Sequence, residues 1–500
     1  MKFTHLLLGC ALSIPFFSDG AELSIPEERS FTGPVPFPAA SLPTGRIHKP
    51  AAPEWKSRSL DGKWKLRTVP FVKGRTGNAN DEGIQQKLFR PEISTANWED
   101  ITVPSSWYLT PRYDTSSGKI GYYRRSFDLA PEEVRQGRII LDFRRVAERA
   151  DVWVNGKSAG EAHIGRGVSF QYDITDLVKA GRNELAVRVY DYLGHTSYWR
   201  RHIGGIHDSV RLLLVPSTFF VPRAMISPDL KNNTIHVQLQ TISPGELRGF
   251  TAEIVHWKDG RKVASRTFKD FRIPAGTKWH ELGTIPLPSP RLWSPEDPHL
   301  YVLRIRDGAG KIAGFERFGF REFKNQGEWF LLNGKKFKPR MHTFSIQSTP
   351  ALHNNLEQGT EKALRLMKER LHVNMIRPHS GEGTPLETLY NICDEIGMLV
   401  YFDWSGPGSF PAYDKEWNDC ILESAPEFEE FIRDNYSRPS IVMWSFGNEI
   451  YEGHHNLFFS RNLDKLYTMV KKLDLQNRPI CSSTGRQTLE AMQAGLLKER

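Results

Sequence analysis

The stretch Arg438-Pro439-Ser440-Ile441-Val442-Met443-Trp444-Ser445-Phe446-Gly447-Asn448-Glu449 constrains this chain more than any other. Pro439 cannot sit inside a helix, and it biases the residue before it away from the helical region. Ile441 to Trp444 is apolar without alternation, which predicts a strand of a parallel sheet covered on both faces. Gly447 lets the backbone turn, and Asn448 and Glu449 fall where such a strand ends. In a barrel of parallel strands the chemistry sits at that C-terminal rim. A carboxyl group there, beside an amide, suits a general acid; the competing reading is that Glu449 caps the next helix.

The surrounding rhythm supports a parallel sheet. After Phe330-Leu331-Leu332-Asn333-Gly334-Lys335, strands and helices alternate. Thr384-Pro385-Leu386-Glu387 supplies an N-cap, a proline at the first helical position and a glutamate completing a capping box. Leu386, Leu389, Tyr390, Cys393 and Ile396 recur at helical spacing, and Gly397 ends the helix. Strands are expected at Lys338 to Phe344, Val373 to Arg377, Met398 to Asp403, Ile441 to Phe446 and Ile480 to Ser483. Five strands do not close an eight-stranded barrel, and open parallel edges expose backbone groups, so further strands beyond Arg500 are expected, the alternative being a partner that completes the barrel.

Five hundred residues amount to about three domains, since single cores seldom exceed roughly 250 residues. The net charge of +9 raises the question of nucleic acid or acidic glycans. Lys and Arg are scattered through hydrophobic patterns, without a basic tail or block, so no nucleic-acid partner is expected. Residues 1–21 read as an export signal: Lys2, then the apolar runs Leu6 to Leu8 and Ala11 to Phe17, then small or polar residues to Ala21. That segment is too short for a membrane span. Leu7-Leu8-Gly9-Cys10 also resembles a bacterial lipoprotein box, which places a lipid anchor on Cys10. The expected location is periplasmic or extracellular, or the outer membrane as a lipoprotein. Once the signal is removed, Cys393, Cys420 and Cys481 remain, an odd number without metal-ligand spacing. They read as buried small hydrophobes, and no metal or cofactor is expected.

Residues 22–53 are rich in Pro and Ser and read as a linker. From 54 to 216 the pattern is strands. Val152-Trp153-Val154 leads into the hairpin signal Asn155-Gly156, and Leu185, Val187 and Val189 alternate with polar residues as in a half-buried strand. This predicts a β-sandwich, and strand pattern alone shows only that it folds. From 217 to 323 a second β segment, with Thr234 to Gln240 and Tyr301 to Ile305 alternating, fits an immunoglobulin-like sandwich without the antibody cysteine pair.

Strand ends nominate a constellation: Arg377 and His379, Asp403 and Trp404, and Asn448 and Glu449. Singly, each has a bland reading: Arg377 as a structural ion pair, His379 as a satisfied loop residue, Trp404 as a lid on the core. Together they predict a polar cleft with one aromatic wall, and carbohydrate suits it, having hydroxyls at the edge and apolar C–H faces.

These residues resemble glycoside hydrolase family 2, the group of β-galactosidases, β-glucuronidases and β-mannosidases. The resemblance rests on Pro439 to Glu449, Asn374-Met375-Ile376-Arg377, Phe330 to Lys335 and Cys393 to Val400. Val152 to Gly156 and Gly205-Ile206-His207-Asp208-Ser209-Val210 carry it into the first module. It implies a jelly-roll-like sandwich, an immunoglobulin-like sandwich and a (β/α)8 TIM barrel, incomplete here at residues 324–500. It further implies a retaining glycosidase in which Glu449 is the general acid/base and Asn448 bonds the sugar 2-hydroxyl. Arg377 would orient the nucleophilic carboxylate, with Asp403, Trp404 and His379 in the first sugar subsite. The nucleophile belongs to a later strand that these residues do not reach. Two departures stand out: Arg340-Met341-His342-Thr343 replaces a Gly-Asn-His type strand end, and Ser437-Arg438 replaces a frequent Asn-His pair. The expected substrate is an oligosaccharide or β-glycoside; the alternative is a carbohydrate-binding protein that has lost catalysis.

Overall fold

The computed structural model describes residues 55–70, 81–107, 119–147, 149–164, 168–190, 204–344, 356–378, 387–404, 425–446 and 457–481. In the first module, a sheet in the order His163–Ile164, Arg149–Val154, Gly181–Tyr190, Lys119–Leu129, Gly62–Pro70, Glu99–Val103 faces a four-stranded sheet. The second sheet runs Lys56–Ser59, Val210–Val215, Arg138–Phe143, Phe170–Asp173. Their inner faces share a core of Trp64, Tyr123, Val152, Val187, Leu141 and Leu212. Asn155 and Gly156, with φ of 50° and 76°, turn the expected hairpin as a type I′ turn requires, and Lys157–Ser158 returns along Trp153-Val154.

The half-buried expectation for Gly181–Tyr190 is corrected. Leu185, Val187 and Val189 face the core, but Arg188 and Tyr190 on the other face are buried as well. The segment around Asp81 covers them: Arg188 Nη1 and the Tyr122 hydroxyl donate to Asp81 at 3.1 and 2.8 Å. Arg188 also donates to Asp151 at 2.8 Å and lies over the Tyr190 ring. A charged residue in an alternating strand reads as solvent-facing until a distant carboxylate buries it.

The second module has seven long antiparallel-rich strands from Phe220–Asp229 to Ile312–Phe318, packed around Phe250, Ile254, Val237, Leu303 and Phe318. The three-stranded meander Phe323–Gln326, Trp329–Leu332, Lys335–Phe337 follows.

Five parallel strands come next, in sequential order: β1 Met341–Phe344, β2 Met375–Pro378, β3 Leu399–Asp403, β4 Ile441–Ser445 and β5 Ile480–Cys481. Between them run α1 Leu356–Arg370, α2 Glu387–Ile396, α3 Ala425–Asp434 and α4 Leu457–Leu473. Each expected strand is present; β1 to β4 differ from expectation by one to three residues at an end, and the end of the fifth, past Cys481, lies outside the described residues. Val400, Phe402, Ile441 and Trp444 pack on the helices, while Met375, Leu399, Tyr401 and Val442 face inward over Phe323 and Leu332 of the meander; a register shift between β3 and β4 at Val400/Tyr401 lets Ile441 and Trp444, three residues apart, share one face. Helix α2 is buried on nearly every side, not on one stripe. The second sandwich covers its outer face: Trp293 Nε1 donates to Asp394 O at 2.8 Å. Gly397, at φ +74°, ends α2 where a Cβ would lie 2.7 Å from Pro295 of that sandwich.

Candidate active site

Two of the nominated residues meet at the C-terminal ends of adjacent strands. Arg377 near the end of β2 donates from Nε to Asp403 Oδ2 at 2.9 Å, and Nη2 donates to the same oxygen. The Asp403 side chain is fully buried and that of Arg377 is 12% exposed. Across the sheet Asp403 is in register with Ser445 of β4. One layer below, the Tyr401 hydroxyl interacts with Cys481 and Ser445, and burial, followed by Cys481, pushes that hydroxyl well above its usual range. Polar side chains therefore collect at the end of the sheet where β2, β3 and β4 finish.

The aromatic wall expected from Trp404 is corrected. Successive strand residues point to opposite faces, so the alternation that sends Asp403 inward sends Trp404 outward. Trp404 is 3% exposed and stacks on Phe428 of α3 at 4.8 Å, in the layer between sheet and helices. Period two was the signal, present in the sequence itself. His379, Asn448 and Glu449 lie outside the described residues, which stop at Pro378 and Phe446. Residues 1–54, with the expected export signal and Cys10, also lie outside them.

Sequence reading missed the groups that hold the start of β4. Arg321, from the second module, donates to Pro439 O at 3.0 Å, Ile441 O at 2.7 Å and Gln476 Oε1 at 2.7 Å. Burial, then the neighbouring Arg478, pulls its guanidinium down to about 9. Arg317 reaches across to Asp394 at 3.2 Å and Glu395 at 2.7 Å on α2. The departure Ser437-Arg438 sits in this junction. Ser437 Oγ donates to Ala224 O at 2.8 Å and accepts from Ile226 N at 3.0 Å. Arg438 donates to Asn391 at 2.8 Å, Asp394 at 3.0 Å and Asn435 at 2.8 Å. At the other departure, Arg340 to Thr343, Asn374 takes up the backbone: Arg340 N donates to its Oδ1 at 2.7 Å and its Nδ2 donates to Lys338 O at 3.0 Å.

All three modules meet at a cavity of about 80 Å³ lined by Arg144, Arg223, Glu316, Glu387, Asp434 and Arg438. Arg144 pairs with Glu387, Arg223 with Asp434 at 3.4 Å, and Arg438 with Glu387 at 3.6 Å. Burial, opposed by the Ala224 amide and Arg438, pushes the Glu316 carboxyl up to about 8. Lined by residues of all three modules, this cavity belongs to module docking. Among the described residues no three His, Cys, Asp or Glu side chains form a metal-binding group. No described helix is long and apolar enough to cross a membrane.

Three family models match in this order: the sugar binding domain of glycosyl hydrolases family 2 at residues 57–216, a second family 2 domain at 219–321 and the family's TIM barrel domain at 364–494. A putative β-glucuronidase of Formosa agariphila is 28% identical over 409 residues, 76% of this chain and 38% of that protein. A β-galactosidase of Pseudoalteromonas haloplanktis is 26% identical over 466 residues, 85% of this chain and 42% of that protein. The chain thus spans well under half the length of these curated relatives. Among solved structures, the Bacteroides uniformis β-glucuronidase superposes with a TM-score of 0.66 at 23% identity, covering 89% of this chain and 54% of that one. A family 2 member from Bacteroides cellulosilyticus gives a TM-score of 0.66 at 21% identity, covering 88% and 59%. With two β-sandwich modules followed by parallel strands of a TIM barrel, and family models matched over all three, the chain belongs to glycosyl hydrolase family 2.

Proposed function

We propose that this chain supplies the acid/base half of an exported retaining β-glycosidase, which removes terminal β-linked galactose, glucuronic acid or mannose by double displacement. The observation that carries the reading is the Arg377–Asp403 pair at the mouth, beside the strand whose continuation is Asn448-Glu449. The names of the relatives, β-glucuronidase and β-galactosidase, support the substrate class.

In this mechanism Glu449 protonates the leaving glycosidic oxygen, then takes a proton from the water that attacks the glycosyl-enzyme. Such an acid needs a raised proton affinity, for which partial burial and a neighbouring anionic nucleophile are the usual causes. Asn448 donates to the sugar 2-hydroxyl, a bond that strengthens as the ring gains positive charge. Arg377 brings a fixed cation to the mouth, where it orients carboxylates, and His379, two residues later in sequence, is a candidate sugar ligand. The nucleophile is a glutamate on a later strand, about 5 Å from the acid in a retaining enzyme. The start Lys2 to Ala21 supports export, with a lipid anchor on Cys10 as its variant.

The test is Glu449→Gln in the full-length gene product. Hydrolysis of alkyl glycosides, which need protonation to leave, is expected to fall by about 10²–10⁴-fold, and that of activated aryl glycosides far less. Equal losses on both, in a folded variant, would remove Glu449 from the acid role.

A further inference from the structure

We propose that Asp403 acts on Arg377 and not on substrate, as a positioning residue that holds this arginine in place at the barrel mouth. Asp403 Oδ2 accepts from both Nε and Nη2 of Arg377, so one edge of the guanidinium is committed to this carboxylate. A planar fork held along one edge is fixed in orientation as well as position. Exposure orders the two groups: Asp403 is at 0% and Arg377 at 12%, so a ligand entering the mouth meets the arginine first. The backbone around Asp403 is fixed in turn. It is in register with Ser445, and Trp404 N donates to Ser445 O at 3.1 Å. Burial of Trp404 against Phe428 then anchors the residue that follows. A buried carboxylate standing behind its counter-ion sets where that charge sits; a sugar hydroxyl is better served by a group at the surface of the cleft.

The charge has a second consequence. Together Arg377 and Asp403 present little net charge to the mouth, whereas Arg377 alone presents a full positive one. Loss of the Asp403 charge therefore favours the ionised form of any carboxyl group nearby, including the acid that donates to the leaving group.

The inference rests on reading the mouth as a glycosidase site. It is tested by a double-mutant cycle of Asp403→Asn and Arg377→Lys in the full-length gene product, with para-nitrophenyl β-galactoside, β-glucuronide and β-mannoside as probes. The expected D403N variant loses about tenfold or more in kcat with KM changed less than about twofold. Its alkaline limb of kcat/KM moves about one pH unit lower. The double variant is expected to be no slower than R377K alone, since Asp403 has nothing left to position. Additive losses, or a raised KM with kcat preserved, would make Asp403 a direct sugar ligand and overturn the proposal. A loss with the alkaline limb unmoved would reduce it to a structural pair and overturn it equally. If D403N does not fold, Asp403→Glu takes its corner of the cycle, where the same non-additivity with R377K is required. Failure of the acid role is read separately, from Glu449→Gln, which leaves the coupling between Asp403 and Arg377 untouched.

Discussion

Strand β4 has an arginine–carboxylate cluster near each end, and the two are built differently. At its start, Arg438 and, from the second module, Arg317 share Asp394 and Asn391, while Arg321 of that module holds the carbonyls of Pro439 and Ile441. Asp394 alone accepts from Arg317, Arg438 and the Ser440 amide, at 3.2, 3.0 and 3.1 Å. Near its other end Arg377 donates twice to one oxygen of Asp403. A network bonded across modules is suited to rigidity; a pair joining the ends of two neighbouring strands within one module is suited to a site. Equal chemistry thus serves docking at one end of the strand and the candidate site at the other.

Removing Arg438 gives the sharpest test of that contrast. Arg438→Met takes one of three donors from Asp394 and one of two from Asn391, and is expected to cost about 1–3 kcal/mol in chemical unfolding. Arg377→Met takes the cation from the fully buried Asp403, so a stability cost of the same order is expected, while activity falls much further than with R438M at temperatures where both are folded. Equal losses of activity would erase the distinction. The junction also predicts a pH effect on stability. Glu316 holds its proton up to about 8, above the ordinary 4.5, so its contribution is fully present below about 4.5 and is lost as pH rises through about 8. Glu316→Gln should therefore gain on the parent between pH 5 and 8, by at most about 1.4 kcal/mol per pH unit, with a constant gap above. Thermal melts across that range check it, and parallel curves would show that Glu316 is not the titrating group. The smallest effect is expected at Arg291–Asp297, an ion pair at 2.6 Å whose side chains are 60% and 43% exposed. Arg291→Ala should change stability by less than about 1 kcal/mol; a larger loss would mean that exposed pairs also bind the modules.

Much of this was legible without coordinates where the signal is local. Strands β3 and β4 stand where continuous apolar runs predict them, because burial on both faces demands such runs, whereas β1 is exposed from Met341 to Thr343. The Asn155-Gly156 turn follows from positive φ at both central residues. Arg377 and Asp403 were nominated because each ends a predicted strand, and they do touch. Trp404 was misjudged although the necessary signal was present, since a neighbour of an inward residue on a strand faces outward. Arg188 and helix α2 were misjudged for a different reason. Their second face is covered by segments far away in sequence, Asp81 in one case and Trp293 in the other.

The sequence by itself determined the order of the modules, the strands of the barrel portion and the family, because periodicity, turn chemistry and a strand-end motif are properties of neighbouring residues. Only the tertiary structure decided which arginines dock modules and which carboxylate each one holds. Arg317, Arg321, Arg377 and Arg438 are alike as letters, and what separates them is the carboxylates and carbonyls that distant parts of the chain bring within 3.3 Å. A buried charge takes its role from its partners, and partners of this kind are chosen by folding.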